Sequence, residues 1–168
     1  MIPRLVVAPT ELLVTLEDAK AHCRIDGSDS NALVQGYIDA AIAYLDGYRG
    51  ILGRCIMTQT WEIDLPCLGR HRLPLPDVIE ASAVDAEGEE IACELVQDAR
   101  GSSVILAGAA TVRFTAALPE ELRPSLRVAV LLLVGHWYEN REAVTSTAPH
   151  ELPMAVDALL APIRWWAP

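Results

Sequence analysis

From Leu126 to Val134 the only polar residue is Arg127, and the run then turns polar at Gly135 and His136. Leu126, Val130, Leu133, Val134 and Trp137 stand at offsets 0, 4, 7, 8 and 11, the repeat of an α-helix, while Val128, Leu131 and Leu132 fill its other faces. A surface helix carries one apolar stripe roughly 100° wide. This helix therefore needs cover on nearly every side, and its uninterrupted apolar run, Val128 to Val134, is far shorter than the roughly 20 residues that span a bilayer. It begins near Leu118-Pro119-Glu120-Glu121, where Pro124 suits a first turn and the two glutamates suit the positive end of the helix dipole.

A second segment makes the same demand. Asn31 to Tyr48 carries two stripes, Leu33, Tyr37, Ala40, Tyr44 and Val34, Ile38, Ile42, Leu45, which together exceed what one buried face requires. A chain of 168 residues holds one sizeable core and is too short for two ordinary domains. Two helices with surplus apolar surface point to cover from neighbouring copies or partners; the alternative is a central helix wrapped by a sheet. Ahead of them Thr15, with Asp18 three residues on, forms a capping box for a short helix in which Leu16, Ala19 and Cys23 share a face. Asp26-Gly27-Ser28-Asp29-Ser30 supplies a turn and the next cap.

The middle of the chain changes period. Thr58 to Leu65 alternates polar and apolar residues, and His71 to Leu75, Val78 to Val84, Ile91 to Val96, Val104 to Leu106 and Thr111 to Thr115 read as further strands. Gly and Pro separate them, as does the acidic turn Asp85-Ala86-Glu87-Gly88-Glu89-Glu90. Short strands joined by tight turns imply an antiparallel sheet or hairpins. The expected fold is α+β and mainly helical, a single domain over 1–168 with helical parts at about 15–50 and 119–165 and a β-rich insertion at about 56–116. Near the end, Thr145-Ser146-Thr147-Ala148-Pro149 reads as a loop, Pro153 opens a short helix, and Pro162 stops or kinks it.

Charge and chemistry narrow the partners. With 13 basic and 23 acidic residues the net charge is −10, which repels nucleic-acid phosphates and anionic membranes. No secretory leader is read in Met1-Ile2-Pro3-Arg4 and the residues after it, so a soluble, cytoplasmically made protein is expected. Cys23, Cys55, Cys67 and Cys93 form no C-x-x-C pair and read as small buried hydrophobes. His136 and Glu139 share an i, i+3 spacing that could serve a metal, but lack the second histidine of H-E-x-x-H. His22, His71 and His150 have no local nucleophile, Ser102-Ser103 has no nucleophile elbow, and no glycine-rich phosphate loop is present. Glu87 to Glu90 could hold a cation and reads more simply as a solvated tip. Neither a cofactor nor a catalytic role is expected.

The order Leu13-Val14-Thr15-Leu16-Glu17-Asp18-Ala19-Lys20-Ala21-His22 with Arg24-Ile25-Asp26, then Thr58-Gln59-Thr60-Trp61, then Leu73-Pro74-Leu75-Pro76, and finally Leu131 through Gly135-His136-Trp137-Tyr138-Glu139-Asn140-Arg141-Glu142 resembles the head-tail connector (adaptor) proteins of tailed phages, prophages and gene transfer agents. The resemblance runs from about Leu12 to Ile163. It implies a small helical bundle of connector type with a β-rich insertion, assembled as a dodecameric ring on the portal protein in the virion neck. Such a ring would meet the next neck or tail-completion protein and pass DNA without specific binding, after assembly in the bacterial host cytoplasm. The competing classes are a small α+β enzyme or ligand-binding protein, and another neck component.

The site expectation falls on the last segment. Adjacent indoles point in different directions, so one of Trp165 and Trp166 can pack on its own domain while the other is left for a partner. Ile163, Arg164, Trp165 and Trp166 are therefore expected to dock on the portal or a neighbouring subunit; alternatively both rings fold back over Leu159 and the second long helix. For the acidic turn, changing Glu87, Glu89 and Glu90 together to Gln is expected to leave stability within roughly 0.5 kcal/mol, as at other solvated positions. A melting scan beside a particle-assembly assay checks it: unchanged melting with lost assembly would place the turn in a contact or in the channel.

Overall fold

The computed structural model describes residues 2–140 and 154–166; the expected loop at Thr145 to Pro149, Pro153 and His150 lie outside the described residues. A strand β1 (Arg4–Val7) precedes helices α1 (Leu16–Cys23) and α2 (Asn31–Leu45). The strands β2 (Gln59–Leu65), β3 (Gly69–Arg72), β4 (Val78–Val84), β5 (Glu90–Ile91), β6 (Cys93–Asp98), β7 (Gly101–Leu106) and β8 (Ala110–Ala116) follow, and helices α3 (Arg123–Glu139) and α4 (Met154–Leu160) close the order.

Local signals explain most of these boundaries. The Thr15 hydroxyl accepts from the Asp18 amide at 3.2 Å and the Asp18 carboxylate accepts from the Thr15 amide at 3.1 Å, a complete capping box. Asp18 also pairs with Arg127 at 2.8 Å, which ties α1 to α3. Helix α2 stops at Leu45, short of the expected Tyr48, because Asp46 turns extended and Gly47 takes φ 74. A 3-10 turn at Glu120–Leu122 leads into α3, with Pro124 in its first turn.

Two sheets form, both antiparallel: β1-β2-β8-β4-β5 and β3-β7-β6. In the register of β2 on β8, Trp61 faces Phe114 and Ile63 faces Val112. Ile63, Leu65, Ala83, Val112 and Phe114 pack with Val104 and Leu106 of the second sheet and with Leu73 and Leu75 to form one core. The opposite face of the larger sheet is polar: Arg113 meets Glu62 at 2.6 Å and the Thr60 and Thr115 hydroxyls lie 3.1 Å apart. The Arg113 hydrogen bond holds the Glu62 carboxyl below its ordinary range.

Three differences from the sequence reading have physical causes. The stretch Arg4–Val7, for which the sequence reading expects no element, is an edge strand on β2, with a bulge between Leu5 and Val7. The expected strand Ile91 to Val96 breaks at Ala92, because β5 pairs with β4 in one sheet and β6 with β7 in the other, so the chain changes sheets there. Gly69–Arg72 makes the ladder expected at His71 to Leu75, and Leu73 and Leu75 instead turn into the core.

The helices build a core of their own. Val34, Ile38, Ala41 and Leu45 of α2 meet Leu126, Val130, Leu133 and Val134 of α3, with Ala19 of α1 and Val156 and Leu160 of α4 around them. Cover for α3 thus comes from the other three helices rather than from a sheet, and Val128 is left 46% exposed. Truncating Phe114, fully buried in the sheet core, to Ala is expected to cost about 3–5 kcal/mol. Urea unfolding measures this, and a loss below about 1 kcal/mol would show that the sandwich does not close on that ring.

Candidate assembly surfaces

The two cores meet at a junction made by loops. Asp46, just past α2, accepts from the Ile56 amide at 2.7 Å and from the Gln59 side-chain amide at 2.6 Å. Gly47 follows with φ 74, and a Cβ there would sit 3.2 Å from the Trp61 indole, so only glycine lets the loop pass over that ring. These contacts account for Thr58-Gln59-Thr60-Trp61: Gln59 is buried against Asp46, Thr60 pairs across the sheet and Trp61 supports the loop. Burial pushes the Asp46 carboxyl up, and raises the Cys55 thiol to about 12 with the Asp46 charge adding to it.

The C-terminal segment crosses the same junction. Ile163 is 1% exposed within the helical core, and Arg164 pairs with Asp157 at 2.8 Å. The Trp165 amide donates to the Leu52 carbonyl at 2.7 Å, and its ring stands 5.7 Å from the guanidinium of Arg54, which pairs with Asp77 at 2.5 Å. Gly53 and Gly101 leave room for it: a Cβ at Gly53 would lie 2.8 Å from the Trp165 carbonyl oxygen, and one at Gly101 2.8 Å from the ring. Trp165 therefore touches the loop above the helical core and the β6–β7 hairpin at once. Trp166 is 76% exposed. Of the four expected docking residues, the structure holds Ile163, Arg164 and Trp165 against their own chain and turns Trp166 outward.

Helix α2 buries one of its two stripes and leaves most of the other open: Leu33 is 38% and Tyr44 41% exposed and Ala40 lies on the surface, while Tyr37 of the same stripe packs against the helical core. Beyond the helix Tyr48 continues that surface toward a groove of about 350 Å3, lined by Pro3 and Leu5 of the β1 side and by Asp46, Arg49 and Trp61. At the acidic turn Asp85 accepts from the Glu87 and Glu89 amides at 3.0 and 2.8 Å, and all three glutamates face solvent.

Of the four cysteines expected to be buried, Cys55 is buried, Cys23 and Cys93 are half-buried, and Cys67, in the loop before β3, is exposed. Gly135 brings α3 close to α1, since a Cβ there would meet the His22 ring at 3.3 Å. Trp137 stacks at a tilt on Tyr37, ring centres 6.3 Å apart. His71 Nε2 lies 2.8 Å from the Cys67 carbonyl oxygen. Among the described residues no group of three or more His, Cys, Asp or Glu side chains is placed to hold a metal ion, and no helix is long and apolar enough to cross a membrane.

Residues 13–68 match the family model described as phage gp6-like head-tail connector protein, so the resemblance read in the sequence is borne out. No curated protein matches the chain. Among solved structures, the fold matches a chain in the neck of an empty GTA particle computed with C6 symmetry, at 22% identity and a TM-score of 0.72 over 98% of this chain and 95% of that one. It also matches a chain in the virion of a native gene transfer agent (GTA) particle, at 23% identity and TM-score 0.71, and one in the neck of a native GTA particle computed with C12 symmetry, at 24% and 0.64, each over 98% of this chain and 95% of the other. At these identities the likeness is one of fold: α+β, with helices and antiparallel sheets in the same arrangement.

The junction carboxylate gives a pH test. The unfolded chain releases the Asp46 proton at the ordinary carboxylate value and the folded chain only above it. Its favourable contribution is therefore complete below the ordinary value and is lost as pH rises through the folded value. Asp46→Asn removes this dependence, so the variant is expected to gain on the wild type between about pH 4 and about pH 7. Urea unfolding of both proteins at the two pH values measures the gap; a gap that stays constant or widens would show that burial does not govern this group.

Proposed function

We propose that this protein is a structural subunit of the neck of a phage-like particle or gene transfer agent, forming a ring under the portal that joins head to tail and continues the path for DNA. The observation that carries this reading is the fold shared with neck chains over 98% of the length, together with the connector-family match at residues 13–68. The open stripe of α2 and the outward Trp166 supply surface for neighbours, and a dodecamer on the portal follows the family pattern. The net charge of −10 suits a channel through which DNA slides without sticking. In this reading the chain is one domain with two cores, it has no catalytic role, and Ile163 to Trp166 act together in docking: the first three hold the segment and Trp166 meets the portal or a neighbouring subunit.

The same repulsive charge on every copy opposes assembly without a template. Alone at micromolar concentration the protein is expected to be monomeric or loosely associated, and to form rings when purified portal is added. Light scattering and electron microscopy with and without portal test this. A stable dimer that refuses portal would overturn the reading.

A further inference from the structure

The groove between β1 and the end of α2 has the make-up of an indole receptor, and the same chain presents an indole elsewhere. Pro3, Leu5, Tyr48 and Trp61 give it apolar and aromatic walls, Asp46 lines it, and Arg49 stands exposed at its side. Its volume of about 350 Å3 is ample for a bicyclic ring, given that an engineered cavity of about 150 Å3 accepts benzene. The Asp46 carboxylate takes hydrogen bonds from Ile56 and Gln59; a carboxylate has about four acceptor positions, so it keeps capacity for an indole N–H, which can only donate. Arg49 can stack its guanidinium on an inserted ring.

We propose that this groove receives the Trp166 side chain of a second copy of the chain. The inference rests on the ring-forming reading above and names the contact that closes the ring. Trp166 is not among the groove's lining residues and is 76% exposed, while Trp165 before it is pinned between Gly53 and Gly101. Each copy thus carries one knob and one hole at different places. Repeated head to tail with a closing rotation, such a contact makes a ring, whereas a reciprocal exchange would stop at a two-fold dimer, and the length of the cross-linked ladder separates the two. The exposed Leu5 and Tyr48, 47% and 38% accessible, are the surface that docking would cover.

Cross-linking on the portal tests the contact. With the photo-reactive aromatic p-benzoylphenylalanine at position 166, which keeps a ring there, irradiation with portal present is expected to give a ladder of covalently linked oligomers with adducts at Leu5, Tyr48 or Trp61 of the neighbouring copy. Trp166→Ala is expected to keep the wild-type melting temperature and to lower ring occupancy on the portal by about tenfold or more, the scale of a hot-spot aromatic. Mixing Trp166→Ala with Leu5→Arg subunits, one lacking the knob and the other the hole, should stop assembly at pairs. Rings of that labelled protein that yield no inter-subunit cross-link, or a cross-link only within single chains, overturn this contact and leave the connector reading standing. Failure of the wild type to form any ring overturns both.

Discussion

Helices in this protein pack chiefly on helices and strands on strands, so what relates the two cores is a buried carboxylate and a single tryptophan. Asp46 binds the loop that leaves α2 to the start of β2 through Ile56 and Gln59, and Trp165 ties Leu52 of the helical side to Gly101 of the sheet side. The Arg54–Asp77 pair, set under the Trp165 ring, adds a charged bridge from the loop to the turn before β4. Four residues at positive φ serve this geometry: Gly47 at φ 74 over Trp61, Gly53 at φ 61 against Trp165, Asp77 at φ 58, a residue type that tolerates it, and Gly101 at φ 102, where a side chain would strike the indole. These few contacts set how the sheets stand relative to the helices.

The same economy shapes the surface. A chain carrying −10 gains solubility and repels its own copies, so attraction between subunits has to come from short-range apolar contacts. The exposed side of α2 has one charged residue, Asp39, between Asn31 and Leu45, and the β1 edge adds Leu5, Val6 and Val7, all exposed. An unprotected apolar edge strand would invite indiscriminate pairing; here the bulge at Leu5/Val7 breaks its register. Long-range repulsion with local stickiness favours assembly where a template has already brought the copies together.

Much of the fold was legible because its signals are local. The Thr15–Asp18 box, the period of α3 and the alternation of β2 depend on neighbours within a few residues, and the structure repeats them. The failures are non-local. Nothing near Ala92 says that the chain changes sheets there, since the decision lies in the pairing of β5 with β4 and β6 with β7. Arg4–Val7 becomes a strand because β2 offers it an edge, and four residues are too few to show a period. Adjacency of the two C-terminal indoles admits one inward and one outward ring and equally admits both folding back over the helices. The choice depended on Gly53 and Gly101, far away in sequence, and the groove of Pro3, Leu5, Tyr48 and Trp61 gathers residues that no motif connects.

Pinning Trp165 also bears on what Trp166 can contribute. An aromatic at a free chain end loses conformational freedom when it docks, which offsets part of the apolar gain. Here Ile163 is buried, Arg164 is paired and the Trp165 amide is hydrogen-bonded, so the backbone up to the last ring is already ordered and mainly the Trp166 side chain remains to be fixed. The ordering of residues 163–165 is supplied by folding rather than by assembly. In the ring we propose, a weakly attracting, repulsive subunit would in this way form a specific contact through one side chain, and the contact would inherit its direction from the junction that relates the two cores.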